Sequence, residues 1–324
     1  MPASVAGLRF PGTRVLLPRT RLAYIHLRNL LNDAKRDRAA RISGYVAIWL
    51  PEELVMLYMR KGEVVNATCI DDKFTRALPI AEAIERVPAE PEYGEICFNE
   101  AEDDQLACMY QACSRPPISW PSEMRVTDPG ALFPYLMATT FDGMLEIIAD
   151  DTVNYLLFKH GAVHRAFLST AHHGTVVDRV AKIFAREGKI GGLQIRRWDA
   201  PADLPTQAPP ALVQAYRDLA CALVNRLVAD GSGSAPAVAE HARQNLAKEH
   251  PALEGFSFSG KPVRDPVTDT KSLSHAVALW ITEVMWTAGD HGSNAGPLLK
   301  ELTWERRHMF QSAGLYDKLQ WKVM

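Results

Sequence analysis

Residues that could do chemistry stand in a few places along the 324-residue chain. Residues 255–261 read GFSFSGK and satisfy the GxxxxGK part of a phosphate-cradling loop. Such a loop needs a hydroxyl after the lysine to hold magnesium, and Pro262 stands there instead. It also needs a strand before it and a helix after it, whereas Pro251, Pro262 and Pro266 surround this stretch, so a hairpin is expected and nucleotide hydrolysis is not. His160, His164, His172 and His173 invite a metal reading, but no carboxylate or cysteine stands at a spacing that would complete a site, and no metal is expected. Glu52-Glu53 and Asp150-Asp151 are paired carboxylates of the kind that do acid and base work, yet each pair sits at a tight strand connection, where carboxylates form turns in water. Arg36, Arg38 and Arg41, ahead of Ser43-Gly44, could grip a phosphate or a cyclic dinucleotide with their bidentate forks; the same segment also reads as a solvated basic linker. GxSxG, HExxH and GxGxxG do not occur, so the expected catalytic set is empty and no cofactor is expected.

The elements that must position these residues are organised around a repeat. Residues 142–167 read DGMLEIIADDTVNYLLFKHGAVHRAF, and 99 residues earlier 43–68 read SGYVAIWLPEELVMLYMRKGEVVNAT. Laid over each other without a gap, Gly44 meets Gly143, Ile48 meets Ile147, Leu57 meets Leu156, Gly62 meets Gly161, Val64 meets Val163 and Ala67 meets Ala166. Each copy reads as two apolar strands, a sharp turn at Lys61-Gly62 or His160-Gly161 where glycine supplies positive φ, and a third strand. Residues 54–59 are continuously apolar, as a strand covered on both faces would be. Val163 and Ala166 are three apart, which calls for a bulge near Arg165 or for burial on both sides. Each core is expected to lead into a helix (78–87 and 174–187), another extended piece (GEICFNE and LQIRRWD), and a further helix (102–113 and 210–228). Where the copies differ, with His160 for Lys61 and His164 for Val65, any specialised function must lie.

The second copy, with its Gly-x-Leu-x-Ile strand, its LLF strand, then Gly161, Val163 and Ala166, resembles the PATAN-type domain family of bacterial response regulators and related signalling proteins. The first copy matches at Gly44, Leu57, Gly62 and Ala67, with Trp49-Leu50-Pro51 and the basic lead-in as departures. The resemblance implies a non-enzymatic module for protein interaction in bacterial signalling or motility regulation, and it carries over no catalytic residue.

Composition bounds the rest. At 47% hydrophobic and 23% charged the chain has the usage of an ordinary globular protein, and a net charge of -2 lacks the basic footprint that nucleic acid would demand. Cys69, Cys97, Cys108, Cys113 and Cys221 form no CxxC pair, which fits reduced, buried thiols in a cytoplasmic protein. No apolar run reaches the roughly 20 residues that span a bilayer, so no membrane insertion is expected. Ser114 to Pro129 reads as the connection between copies, and Gly231-Ser232-Gly233-Ser234 as a boundary before a helical region. The expected fold is mixed α/β (α+β), with duplicated domains at 1–114 and 115–230 and a helical domain at 231–324. Leu212, Tyr216, Leu219, Leu223 and Leu227 form a stripe that either seams a homodimer or packs on the protein's own sheet. The function expected is a signalling adaptor that binds a protein partner, with a sensor of a cyclic dinucleotide or other anion at Arg36, Arg38 and Arg41 as the alternative. His164 is the candidate partner-binding residue of the second copy.

Overall fold

The computed structural model describes residues 5–36, 42–71, 73–169, 174–185, 192–256, 264–288 and 295–323. The chain divides into two compact units, Met1–Leu78 with Ala83–Pro205, and Pro79–Glu82 with Thr206–Met324.

The first unit begins with an arm that leads into β1 (Arg14–Arg21) and α1 (Leu27–Arg36). Next come β2 (Gly44–Trp49), β3 (Glu53–Arg60), β4 (Glu63–Asp71), β5 (Thr75–Leu78), α2 (Ile80–Glu85), β6 (Glu95–Glu100) and α3 (Asp103–Ser114). After α4 (Pro129–Ala138) follow β7 (Gly143–Ala149), β8 (Thr152–Lys159), β9 (Ala162–Phe167), α5 (Val176–Phe184) and β10 (Leu193–Asp199). The strands form two antiparallel sheets, one of six strands in the order β1-β6-β2-β3-β4-β5 and one of four in the order β10-β7-β8-β9.

The run β6-β2-β3-β4 has the same order as the whole second sheet, and the details recur at the 99-residue offset. Gly44 lies opposite Met59 and Gly143 opposite Phe158. A Cβ on Gly44 would strike the backbone carbonyl of Asn99, and one on Gly143 that of Trp198. Lys61 and Gly62 turn with φ of 53° and 80°, His160 and Gly161 with 52° and 78°. Two consecutive left-handed residues match the twist of an antiparallel hairpin, which is why each turn carries a glycine. The third strands are bulged at one place: β4 skips Val65 and β9 skips His164 in the pairing register. The bulge expected near Arg165 therefore falls one residue earlier.

The strands are apolar on both faces because both faces are covered. Every residue of β2 and β7 is buried. Val46, Ile48, Val55 and Leu57 pack outward with Leu27 of α1 and Ala83 of α2. Leu145, Ile147 and Leu156 do the same with Leu132 and Leu136 of α4 and Ile183 of α5. The inward faces of the two sheets, through Tyr45, Ala47 and Met56 on one and Met144, Ile148 and Tyr155 on the other, share a single core layer with α3. α3 packs on β2, β4, β5 and β8. Its residues from Gln105 to Cys113 are buried except Tyr110, so it is a helix enclosed on all sides rather than an amphipathic one. Asp103 and Asp104 place negative charge at its positive N-terminal end.

The second unit is helical: α6 (Pro210–Ala229), α7 (Ala235–Ala247), α8 (Thr270–Ala288), α9 (Ala295–Thr303) and α10 (Arg307–Ser312). Its core joins Leu212, Tyr216, Leu219, Leu223 and Leu227 of α6 to Leu273, Trp280 and Ile281 of α8 and Leu299 of α9. The stripe on α6 is thus neither a dimer seam nor packed on a sheet: all five residues are at most 5% exposed within their own helical core. A 3-10 turn at Trp304–Arg306 stands between α9 and α10. The C-terminal tail docks on this core, with Leu315, Leu319 and Val323 buried and Tyr316 and Trp321 packed against it.

The division differs from the expected 1–114, 115–230 and 231–324. The two sheets belong to one unit because they share a core layer, and α6 joins the later helices instead of following β10 as α3 follows β6. Two elements were not anticipated, β5 and the α4 helix, which Asp128 caps through Gly130 N–H at 2.8 Å.

Candidate functional site

Among the described residues, those singled out by type are not brought together. Arg36 is exposed in the last turn of α1, while Arg38 and Arg41 lie outside the described residues, as do His172, His173 and residues 257–263 of the glycine-rich stretch. His160 occupies the β8–β9 turn, exposed, with Nδ1 3.6 Å from Asp142 Oδ2. His164 is the exposed bulge residue of β9. No cluster of three or more metal-ligating side chains exists among the described residues. Of the paired carboxylates, Asp150 forms the expected turn, with φ of 53°. Glu53 does not behave as a solvated turn residue: its carboxylate accepts from Arg86 at 2.5 Å and from the Cys69 thiol at 2.9 Å.

The bulge shows what the exchange of Val65 for His164 does. Val65 turns into the shared core layer and is buried, whereas His164 turns to solvent with Val163 and Ala162. Arg165 is pinned by ion pairs to Glu102 and Asp104 at the start of α3, and stacks over the Phe167 ring at 5.4 Å. The strand edges differ as well. β5 runs antiparallel along β4, pairing residues Ala67, Thr68, Cys69 and Ile70. Of the matching residues, Ala166 and Phe167 close β9 and Leu168 and Ser169 follow it; no strand lies beside them among the described residues, and the Leu168 carbonyl accepts from Arg179 at 3.2 Å. The opposite edge of that sheet, β10, is met by Ile118, which bridges to Arg197.

A second feature lies between the sheets. A cleft of about 290 Å³ has apolar walls formed by Leu8 and Phe10 of the arm, Ile70 of β4, Ile148 of β7 and Val153 of β8. The arm is held across it by backbone pairing, Arg9 N–H to Asp151 O at 2.7 Å and Val153 N–H to Arg9 O at 2.9 Å. Gln105 of α3 and Tyr45 of β2 both donate to the Pro11 carbonyl. The polar lining is Glu146, Cys113, Gln194 and Arg196 on one side and Asp71, Lys73 and Thr75 beside Ile70.

Glu146 is 6% exposed. Tyr155 donates to its Oε1 at 3.2 Å, while Oε2 accepts no hydrogen bond and forms an ion pair with Arg196 Nε at 3.6 Å. Burial pushes the carboxyl above the ordinary range, and Arg196 and Tyr155 offset only part of that. Cys113 is hydrogen-bonded with Tyr58 and Thr68, whose hydroxyls lie 3.0 Å apart. Burial, reinforced by Glu146, pushes its thiol up to about 12. Tyr58 and Tyr155 are likewise held well above the usual phenol range by burial. The arrangement therefore keeps its thiol and phenols protonated near neutral pH, and a protonated thiol is not a nucleophile.

Sequence reasoning passed over this cleft, although a signal existed. At the 99-residue offset Glu146 replaces Ala47, a carboxylate for a methyl at the middle of an otherwise apolar strand. Comparison of the chain with protein-family models, with curated proteins and with solved structures found no match.

Proposed function

We propose that this protein is a non-enzymatic adaptor of bacterial signalling, built from a duplicated PATAN-type module, that holds an extended segment of a partner protein along β9. The observation that carries the reading is the unequal treatment of equivalent edges: the protein's own β5 is laid antiparallel along β4, and no strand of the described residues lies along the outer edge of β9. Main-chain groups of such an edge pair with an incoming strand, and the side chains beside them select it. The exposed Val163, at 41%, and His164 supply that selection, and Arg165 is locked by Glu102 and Asp104 so that the strand is presented rigidly. The common strand order, hairpin geometry and bulge position support descent of both sheets from one module. The resemblance at Gly143, Leu156, Gly161 and Ala166 rests on positions that build the sheet, in keeping with a family whose pattern contains no catalytic residue. Protonated thiols and phenols between the sheets favour the same view.

The test is affinity capture from the lysate of the source bacterium with the unaltered chain and with Val163→Asp. An exposed substitution of this kind changes stability by less than about 0.5 kcal/mol. A charge on the docking edge should abolish recovery of the partner while the circular dichroism spectrum is unchanged. Recovery of no specific partner by the unaltered chain, or equal recovery by V163D, sinks the proposal.

A further inference from the structure

We propose that the cleft between the two sheets binds a small, largely apolar molecule carrying one O–H or N–H donor, which Glu146 Oε2 accepts. This inference is independent of the β9 edge. A buried acceptor without a donor costs roughly 1–3 kcal/mol, so a carboxyl oxygen that faces a cavity with an ion-pair partner but no hydrogen-bond donor marks a place where a donor group belongs. Oε2 has no hydrogen-bond donor, and the side chain that bears it is 6% exposed and lines the cleft.

The shape limits the class of ligand. At about 290 Å³ the cleft stands at the small end of the range for ligand sites, roughly 300–1,000 Å³, and suits a single ring with a short substituent. Leu8, Phe10, Ile70, Ile148 and Val153 offer apolar surface to the body of the ligand, and the charged side chains of the lining are Asp71, Lys73, Glu146 and Arg196. The Glu146 acceptor, buried and without a hydrogen-bond donor, orients a phenol, alcohol or amide with its donor inward. Closure comes from the arm, which is attached to β8 through Arg9 and to α3 and β2 through the Pro11 carbonyl.

The inference is tested with phenol and its methyl ether anisole as probes, by saturation-transfer NMR and thermal shift on the full chain at millimolar concentration. Phenol is expected to bind at least about tenfold more tightly than anisole, the difference that a hydrogen bond worth roughly 1.5 kcal/mol supplies. Glu146→Met, similar in size and without a strong acceptor, should reduce phenol to the affinity of anisole. Val5→Trp, at the half-exposed rim of the cleft, should exclude both probes by filling the space, and it leaves Glu146, Tyr155 and Cys113 in place, so it serves if E146M fails to fold. Equal binding of phenol and anisole to the unaltered chain, no binding of either, or phenol binding undisturbed by V5W would overturn the proposal.

Discussion

Glu146 stands in the inward row of β7 among apolar neighbours, and desolvation there favours its protonated form. In the unfolded chain the same carboxyl titrates near 4.5. Between that pH and its raised folded value the folded state holds a proton that the unfolded state has released, so stability falls as pH rises through this window. Below the window both states are protonated and the loss is absent. Tyr155 and Cys113, which face it, keep their protons throughout this window. Glu146→Gln should therefore flatten the decline in melting temperature above pH 4.5, and a decline of equal slope in the variant would refute the assignment. The thiols give a second outcome at this scale. Cys69, Cys97, Cys108 and Cys113 are buried with raised pKa values, and Cys221 is only half-buried. A disulfide reagent at pH 8 should label at most Cys221 in the native protein and all five thiols in denaturant. What hid Glu146 from sequence reasoning is that one polar residue in a strand ordinarily marks the solvent row. Its burial depends on β8, β10 and α3 arriving from elsewhere in the chain.

Elements were legible where a local rule forced them. The turns at Gly62 and Gly161 require left-handed backbone, and the strands between them alternate around close contacts that only glycine permits at Gly44 and Gly143. Gly44→Ala should cost about 1–3 kcal/mol in a urea titration, because the Asn99 carbonyl it would strike is backbone within the sheet and cannot rotate away. Elements were illegible where the environment decided. The apolar stripe of α6 has the same spacing whether it seams a dimer or fills a monomer core, and only the positions of α8 and α9 settle it. Leu223→Ala should lower stability by roughly 2–5 kcal/mol while the sedimentation coefficient at a given protein concentration stays unchanged; a shift to a smaller species would restore the seam. β5 was missed because four residues, TRAL, carry too little pattern to be read, although they cover the edge whose counterpart is open.

At the scale of the molecule, the two units have separate cores, one in layers around α3 and one among the helices after residue 206. Calorimetry should resolve two transitions, with L223A displacing one and G44A the other. The grouping could not be read from the repeat alone, because similarity between segments says nothing of which faces meet. Among the described residues no helix is long and apolar enough to cross a membrane.

The enclosure of α3 has a consequence for synthesis. When the ribosome has made the first sheet and α3, the inward side of that helix, which Met144, Ile148 and Tyr155 will cover, has nothing against it. At roughly 5–20 residues per second the strands from β7 to β10 take some 3 to 11 seconds to appear, and through that interval the nascent chain carries an apolar surface the finished protein never shows. A chain stopped at residue 142 should bind a hydrophobic dye and associate with trigger-type chaperones, and completion of β10 should end both.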